Sequence, residues 1–378
     1  MRASTRISRA QDSLFGVVKR VGQCRATEYT AKDPKIPCTH SATMSQRQQP
    51  RPCGCGTFVA FPPATTSPNL IVFGKNSDRP AGEGQTIRKY PRATYRKDAD
   101  GKMPTLKCTY ITIDQAETTH AVLLSQIDWM FGAEIGANEH GVVIGNEAIW
   151  TRDDCSSESK YLLGMDLVRL ALERGDTARQ SLEVITSLLE MHGQGGGCSQ
   201  DDPAFTYHNS YLIVDPSEAW VLETSGRHWV AEQVKEGVRN ISNCLSIRDN
   251  FDLSSDGIQE YAHKNGYWKV ADGPLDFAEA FSTCGSAQAE MSDPRFCGGK
   301  RLLQKHAANG KMGKEAMIEI LRDHGSGICM HGGGFETTSA WVSELYMKTD
   351  ATSKVSAHHY VTDGPHPCQR NFEEETVT

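Results

Sequence analysis

Cys55 follows a glycine and leads into a β-rich run, Thr57-Phe58-Val59-Ala60, so its thiol stands at the mouth of a strand. A second run, Leu70–Phe73, continues into Gly74-Lys75-Asn76-Ser77-Asp78-Arg79. If the two runs pair as a hairpin, the returning strand brings an ammonium and a carboxylate beside the thiol. A fixed positive charge favours the thiolate, the form of cysteine that attacks carbon. A cut before Cys55 would add a base on the same residue. The freed α-amine has a pKa of about 8, near enough to neutrality to take and return a proton. Asn146 follows another apolar run, and its amide can donate to a developing alkoxide. One such donor contributes about 3–4 kcal/mol in acyl transfer. Each residue also has a plainer reading. A lone cysteine is usually buried and inert, Lys75 can be a solvated strand-end charge, and Asp78 and Asn146 can be turn residues.

The order of local motifs narrows the choice. Thr57-Phe58-Val59-Ala60, Phe73-Gly74-Lys75-Asn76-Ser77-Asp78, Leu106-Lys107-Cys108-Thr109-Tyr110-Ile111 and Gly132-Ala133-Glu134 come first. Gly136-Ala137-Asn138-Glu139-His140-Gly141-Val142, Gly145-Asn146-Glu147-Ala148 and Leu163-Gly164-Met165-Asp166-Leu167-Val168-Arg169-Leu170 follow. Glu218-Ala219-Trp220-Val221-Leu222-Glu223-Thr224 and Val238-Arg239-Asn240-Ile241-Ser242-Asn243 close the series. The chain resembles the secernins, in the cysteine-dipeptidase branch of the N-terminal nucleophile hydrolases. It is more distantly similar to penicillin V acylases and bile-salt hydrolases. The match is near-continuous from Cys55 to about Ser343 and then fades.

The resemblance implies an α+β fold, a four-layer αββα sandwich whose C-terminal part is shortened here. It implies that a leader is removed before Cys55, which then cleaves a dipeptide or other C–N amide bond with no metal or organic cofactor. Lys75 stands where the acylases carry arginine, and Asp78 falls where the family holds the α-amine. Asn243 matches the later asparagine of the relatives and joins Asn146 as an oxyanion candidate. Arg295, in Ser292-Asp293-Pro294-Arg295-Phe296, matches a distal arginine of the acylases; its plainer reading is a surface arginine. The competing implication is an inactive cytosolic regulator of exocytosis, with secretory-machinery proteins or a second copy of the chain as partners. Three departures stand out. Gly56 replaces an aspartate frequent in secernins, which leaves the approach to the thiol looser. Gln126-Ile127-Asp128 replaces a Pro-Ala-type segment in the expected pocket wall. Secernins also run on well past this chain's last residues, so unpaired sheet edges are expected at its end.

Composition sets outer bounds. A chain of 378 residues with 38% hydrophobic residues can build one large or two ordinary domains. A net charge of -7 and no basic stripe argue against a nucleic-acid partner. No apolar run approaches the roughly 20 residues that cross a bilayer. The 12 cysteines show no paired spacing, which fits reduced thiols in the cytoplasm. Cys53-Gly54-Cys55 hints at a metal clip, but no second Cys/His pair at ligand spacing completes four ligands, so no metal is expected. Residues 1–54 read as a disordered leader or propeptide, or as an upstream extension with Met44 as the start. If residues 1–43 are translated, Arg2, Arg6, Arg9, Lys19, Arg20 and Arg25 give them the look of a mitochondrial transit segment. Residues 55–363 are expected to form the domain, and 364–378 an irregular tail. Without a secretory segment, the sequon Asn240-Ile241-Ser242 is expected to stay unmodified.

The body alternates strand and helix patterns. Short β-rich runs fall at Phe58–Phe61, Leu70–Phe73, Thr109–Ile113, His120–Leu124 and Val142–Ile144. Tyr161 to Glu190 carries a helical stripe that Gly175 interrupts, with Thr177 and Gln180 able to cap the second half. Runs at Ser210–Val214, Ala219–Glu223 and Trp229–Val234 return to strand. Lys314–Arg322 reads as helix and Thr337–Val342 as strand. Strands, then a helix pair, then strands indicate layered α+β. His331-Gly332-Gly333-Gly334 resembles a lipase oxyanion loop, but no Gly-x-Ser-x-Gly elbow accompanies it. Gly193–Gly197 lacks the Lys-Ser/Thr ending of a phosphate loop, and Asn138-Glu139-His140-Gly141 reads as a tight turn.

Overall fold

Side-chain alternation along one strand dictates the layering. Between Leu70 and Phe73, Ile71 and Phe73 point one way and Leu70 and Val72 the other, yet all are buried. A strand apolar on both faces has to be covered on both. In the computed structural model, which describes residues 54–283, 293–308, 310–347, 356–362 and 364–378, that requirement is met by four layers. The readings made for residues 1–53, including the transit segment, the Met44 start and Cys53, lie outside the described residues.

The strands of the two main sheets are β1 (Gly56–Ala60), β2 (Leu70–Pro80), β3 (Gln85–Tyr90), β4 (Val122–Ile127), β5 (Ala133–Asn138), β6 (Val143–Ile149) and β7 (His208–Val214). They continue as β8 (Ala219–Ser225), β9 (His228–Val234), β10 (Val238–Ile241), β11 (Leu253–Ser254), β12 (Phe335–Tyr346), β13 (Ser356–Val361) and β14 (Glu373–Glu375). One sheet has 6 strands in the order β10-β1-β2-β12-β13-β14; the other has 8, ordered β11-β9-β8-β7-β6-β5-β4-β3. The pairings within both sheets are antiparallel. Val59, Ile71, Phe73 and Trp341 of the first sheet meet Leu123, Ile135, Val143 and Leu212 of the second to form the central core.

The outer faces bury against helices. Leu124, Ile144, Tyr211 and Leu222 pack on α1 (Gly164–Arg174) and α2 (Ala178–His192) through Leu167, Leu170, Leu182, Ile185 and Leu189. Phe58, Ala60, Leu70 and Val72 pack on α3 (Pro294–Ala307) and α4 (Lys314–Leu321) through Leu303, Met317 and Ile320. The order is helix, sheet, sheet, helix: the αββα sandwich of an α+β protein. Gly175 ends α1, and the Thr177 side chain accepts from the Gln180 N–H to start α2. Among the described residues no helix is long and apolar enough to cross a membrane.

The structure departs from the sequence reading at several places. The run at Thr109–Ile113 is a strand only from Thr112, as Thr112–Asp114, and the helices Ile258–Lys264 and Phe277–Phe281 are not expected from the sequence. β2 runs on through the polar stretch to Pro80, in place of the expected turn, because β12 pairs with it as far as Phe335↔Pro80. The helix α3 has no counterpart in the sequence reading, although Asp293-Pro294 is a strong start, Asp293 accepting from the Arg295 and Phe296 N–H groups. Residues 364–378 are not an irregular tail. They hold a 3-10 turn at Pro367–Gln369 and the strand β14, which covers the edge of β13 with His359 opposite Glu375.

Gly132 offers a direct check on the packing of the second sheet against α1. A Cβ added there would lie 2.2 Å from the Met165 carbonyl carbon and 2.3 Å from the Asp166 nitrogen, backbone atoms that cannot step aside. Gly132→Ala is expected to lower stability by about 1–3 kcal/mol, read as a lower urea midpoint with unchanged slope. An unchanged midpoint contradicts this contact.

Candidate active site

Strand register places the thiol. β1 pairs with β2 with Gly56 opposite Asn76 and Thr57 opposite Lys75, so the pairing carried back sets Cys55 beside Ser77 and Gly54 beside Asp78. On the other side Thr57 faces Ile241 of β10, which brings the next residues, Ser242 and Asn243, alongside Cys55. The Ser242 hydroxyl donates to the Cys55 carbonyl at 2.9 Å. The Asp78 N–H donates to the Cys55 Sγ at 3.2 Å, and the thiol lies 3.9 Å from the Glu134 carboxylate.

Asp78 is turned toward residue 54. Thr337 donates to its Oδ1, while its Oδ2 is buried and has no hydrogen-bond partner among the described residues. A Cβ on Gly54 would lie 2.4 Å from that oxygen, so only glycine fits there. Cys55 itself adopts φ 128, a region that residues with side chains avoid.

On the opposite face of β2, between the sheets, stands a chain of charges. Lys75 and Glu147 are both fully buried, 3.3 Å apart, and Lys75 also donates to the Asn146 carbonyl at 2.7 Å. Thr57 donates to the same Glu147 oxygen. Arg79 donates to Glu83 at 2.6 Å, Glu134 at 2.9 Å, the Tyr207 hydroxyl at 3.2 Å and the Cys198 carbonyl at 2.6 Å. Glu134 in turn accepts from Ser77. Glu134, Arg79, Tyr207, Thr337 and Glu147 are not singled out by the sequence reading. The usable signal is alternation: Lys75, Ser77 and Arg79 share one face of a strand whose neighbours on that face are apolar.

A small cavity of about 20 Å³ opens at this point, lined by Gly54, Cys55, Asp78, Arg79, Glu134, Ala148, Trp150, Phe205, Tyr207, Asn243 and Phe335. Of the residues expected at the site, Cys55, Asp78 and Asn243 meet here. Lys75 stands one layer behind the thiol. Asn146 is not brought in: alternation along β6 sends its side chain to the helical face, where its amide donates to Asn209 at 2.9 Å and to the Met165 sulfur. Its side chain therefore does not face the thiol, against the oxyanion role expected of it. Arg295 is buried in the first turn of α3 and lines a different cleft. Its charge still acts on Asp78, pulling that carboxyl down. Neither Gly56 nor the Gln126-Ile127-Asp128 segment opens the pocket. The Phe58 ring lies 3.0 Å from where a Cβ on Gly56 would stand, and none of Gln126, Ile127 or Asp128 is among the lining residues.

Residues 86–319 match the model of peptidase family C69. The chain belongs to that family. Membership makes it a hydrolase of amide bonds, and bears out the likeness to the secernins at that level. Among solved structures, the chain is similar to a mutant of conjugated bile acid hydrolase from Clostridium perfringens, with 13% identity, TM-score 0.46, and coverage of 85% of this chain and 96% of that one. Penicillin V acylase from Agrobacterium tumefaciens matches at 9% identity and TM-score 0.38, covering 85% and 98%. A Caenorhabditis elegans ortholog of N-acylethanolamine-hydrolyzing acid amidase matches at 9% and 0.39, covering 76% and 92%.

The electrostatics of this C69 chain describe a resting thiol. Burial pushes Cys55 well above the ordinary range; Lys75 pulls it down, and Glu134, Glu147 and Asp78 push it up again. Burial pulls Lys75 down, but the charges of Glu147, Cys55 and Glu134, with the Glu147 hydrogen bond, together outweigh it and the ammonium ends above its usual value. Burial also lifts Glu147 to about 8, against the pull of Lys75. The upward direction for Lys75 is the one that governs. An ammonium donating to a carboxylate and two carbonyls keeps its proton, and the pair stays charged. Outside this cavity, candidate ligand atoms of His324, Cys329, His331 and Cys368 lie within 4.8 Å of one another, a grouping that ligand spacing in the sequence does not reveal.

Burial lifts Asp78 to about 6, against the Thr337 hydrogen bond and the Arg295 charge. A carboxyl raised in the folded state binds its proton more tightly there than in the unfolded chain. Its contribution is fully present below about pH 4 and is lost as pH rises through 6, an amount of about 3 kcal/mol. On the uncut chain, Asp78→Asn is expected to remove that decline from the unfolding free energy between pH 4 and 6. A decline of the same size in the variant contradicts the assignment.

Proposed function

We propose that the protein is a cysteine-type N-terminal nucleophile amidohydrolase, acting on dipeptides or similarly small C–N amides once Cys55 becomes the first residue. The observation that carries this reading is the unpartnered oxygen of Asp78 turned toward residue 54, 2.4 Å from where a Cβ on Gly54 would stand, next to the residue that presents the thiol. A cut between Gly54 and Cys55 leaves an α-amine at that spot, beside a carboxylate suited to hold it. The φ of Cys55 is defined by that peptide bond, so the cut also relieves a backbone strain of about 1–3 kcal/mol.

The steps then balance. The amine takes the thiol proton, and Lys75 favours the thiolate from behind. Sulfur attacks the amide carbon, and the carbonyl oxygen takes up the electron pair. Asn243 already gives one side-chain N–H to the Ala148 carbonyl at 2.8 Å; its second N–H is the donor for the oxyanion. The protonated amine returns its proton to the leaving nitrogen as the C–N bond breaks. Water, deprotonated by the same amine, then cleaves the thioester. The cavity seen with Gly54 in place admits little more than a water molecule, so substrate enters only after residue 54 has left.

Turnover of a dipeptide panel by the processed protein tests this. Cys55→Ser and Cys55→Ala are expected to abolish hydrolysis while leaving the unfolding midpoint near wild type. Asn243→Ala should lower kcat by about 100-fold or more with little change in KM, whereas Asn146→Ala should act mainly on stability. A thiol-directed electrophile should label Cys55 as the dominant site, faster as pH rises. Labelling spread over Cys108, Cys244 and other cysteines, unchanged in Cys55→Ala and without turnover, overturns the proposal.

A further inference from the structure

Beyond Asp78, the loop that follows α4 meets the turn at Pro367–Gln369, and four soft-metal ligands converge there. The candidate ligand atoms of His324, Cys329, His331 and Cys368 all lie within 4.8 Å of one another. His331 Nε2 is 3.3 Å from the Cys329 sulfur and 3.3 Å from the Cys368 sulfur. One ring nitrogen has a single lone pair or a single proton, so it cannot make two good hydrogen bonds to two thiols. A cation between the three atoms satisfies them together.

The far side of the ring sets which form it takes. His331 Nδ1 lies 2.6 Å from His366 Nδ1, and His366 Nε2 lies 2.8 Å from the Glu336 carboxylate. With Nε2–H of His366 donated to Glu336, and Nδ1–H of His331 donated to His366, the Nε2 of His331 faces the sulfurs as a bare lone pair. Metal-binding imidazoles are commonly held this way, the second ring nitrogen donating outward into a hydrogen-bonded support that ends on a carboxylate. Three glycines with φ of 74 to 88, Gly332, Gly333 and Gly334, turn the chain sharply after His331. Cys329 is buried, while His324 and His331 reach solvent, which gives an ion a way in.

We propose that His324, Cys329, His331 and Cys368 bind one zinc ion, which clamps the Pro367–Gln369 turn to the loop after α4. Two thiolates and two neutral imidazoles balance a dication, and this donor set selects zinc over magnesium or calcium. Binding releases the two thiol protons to solvent and forms two Zn–S and two Zn–N bonds, with no oxidation. Tetrahedral zinc sets its ligand atoms roughly 3.3–3.8 Å apart, so from separations within 4.8 Å any pair closes by about 1.5 Å at most. The clamp bears on the hydrolase site. Met330, between two ligands, donates its N–H to the Thr337 hydroxyl at 2.9 Å and accepts the Thr337 N–H at 3.1 Å. That same hydroxyl holds Asp78.

The test is metal analysis of the full chain, purified without a histidine tag or chelator, incubated with Zn2+ under reducing conditions and dialysed. One zinc per chain is expected. Cys368→Ser and His331→Gln should each lose most of it, while Cys55→Ala and Cys297→Ser keep it. Co2+ in place of zinc should give the intense visible bands of a tetrahedral thiolate site. Zinc should also protect Cys329 and Cys368 of the wild type from alkylation, a readout that does not depend on any variant folding. A reduced chain that takes up no zinc overturns the site, as does zinc retained by both ligand variants. Finding Cys329 and Cys368 joined as a disulfide under those conditions overturns it as well.

Discussion

Arg79 lies between the sheets with 2% of its surface exposed, and its guanidinium is held by Glu83, Glu134, Tyr207 and the Cys198 carbonyl. An unpaired charge in such a place costs several kcal/mol, so the partners have to arrive together with the arginine. They come from β5, from the segment before β7 and from the bend after β2. One side chain thus fixes three separate stretches against each other. Glu134, set by that bond, gives its other oxygen to Ser77 and stands within 3.9 Å of the thiol. Removing Arg79 would leave Glu134 buried without its cation, at about 3–5 kcal/mol, whereas Arg79 without Glu134 would still have Glu83. The position of the Cys55 thiol depends on this pairing.

The same burial explains why the uncut chain is at rest. Three carboxylates around Cys55 and the loss of solvent outweigh the one ammonium, and the thiol keeps its proton. On the proposed function, a new α-amine would change that balance by adding a cation where Asp78 has an oxygen to spare. Asp78 is gripped from the other side by Thr337, and Thr337 by the loop that carries Cys329 and His331. The C-terminal end of β2 and the loop after α4 therefore meet at one carboxylate.

Much of the frame is legible in the sequence. The β1–β2 hairpin, the helix pair broken at Gly175 and the antiparallel runs all follow from alternation, helical spacing and glycine. What is not legible has a common cause. Polar residues such as Arg79 in a strand read as solvent-facing, and only the second sheet, contributed by distant residues, reveals them as buried. Asn146 is misplaced by the sequence because Val143 and Ile144 are both apolar, so the run does not show which parity faces the thiol. Glu147, its neighbour, takes the inward place. The acidic finish reads as a tail because Glu373–Glu375 pairs through its backbone and leaves its side chains outside. The four Cys/His ligands are hidden because Cys368 is close to Cys329 only in the fold.

On the proposed function, the peptide bond between Gly54 and Cys55 is the switch. N-terminal sequencing of the native, catalytically active protein tests it most directly. A single sequence beginning Cys-Gly-Thr-Phe-Val, with a free α-amine on Cys55, is expected. An active protein whose peptide map retains an intact bond across Gly54–Cys55 would contradict it.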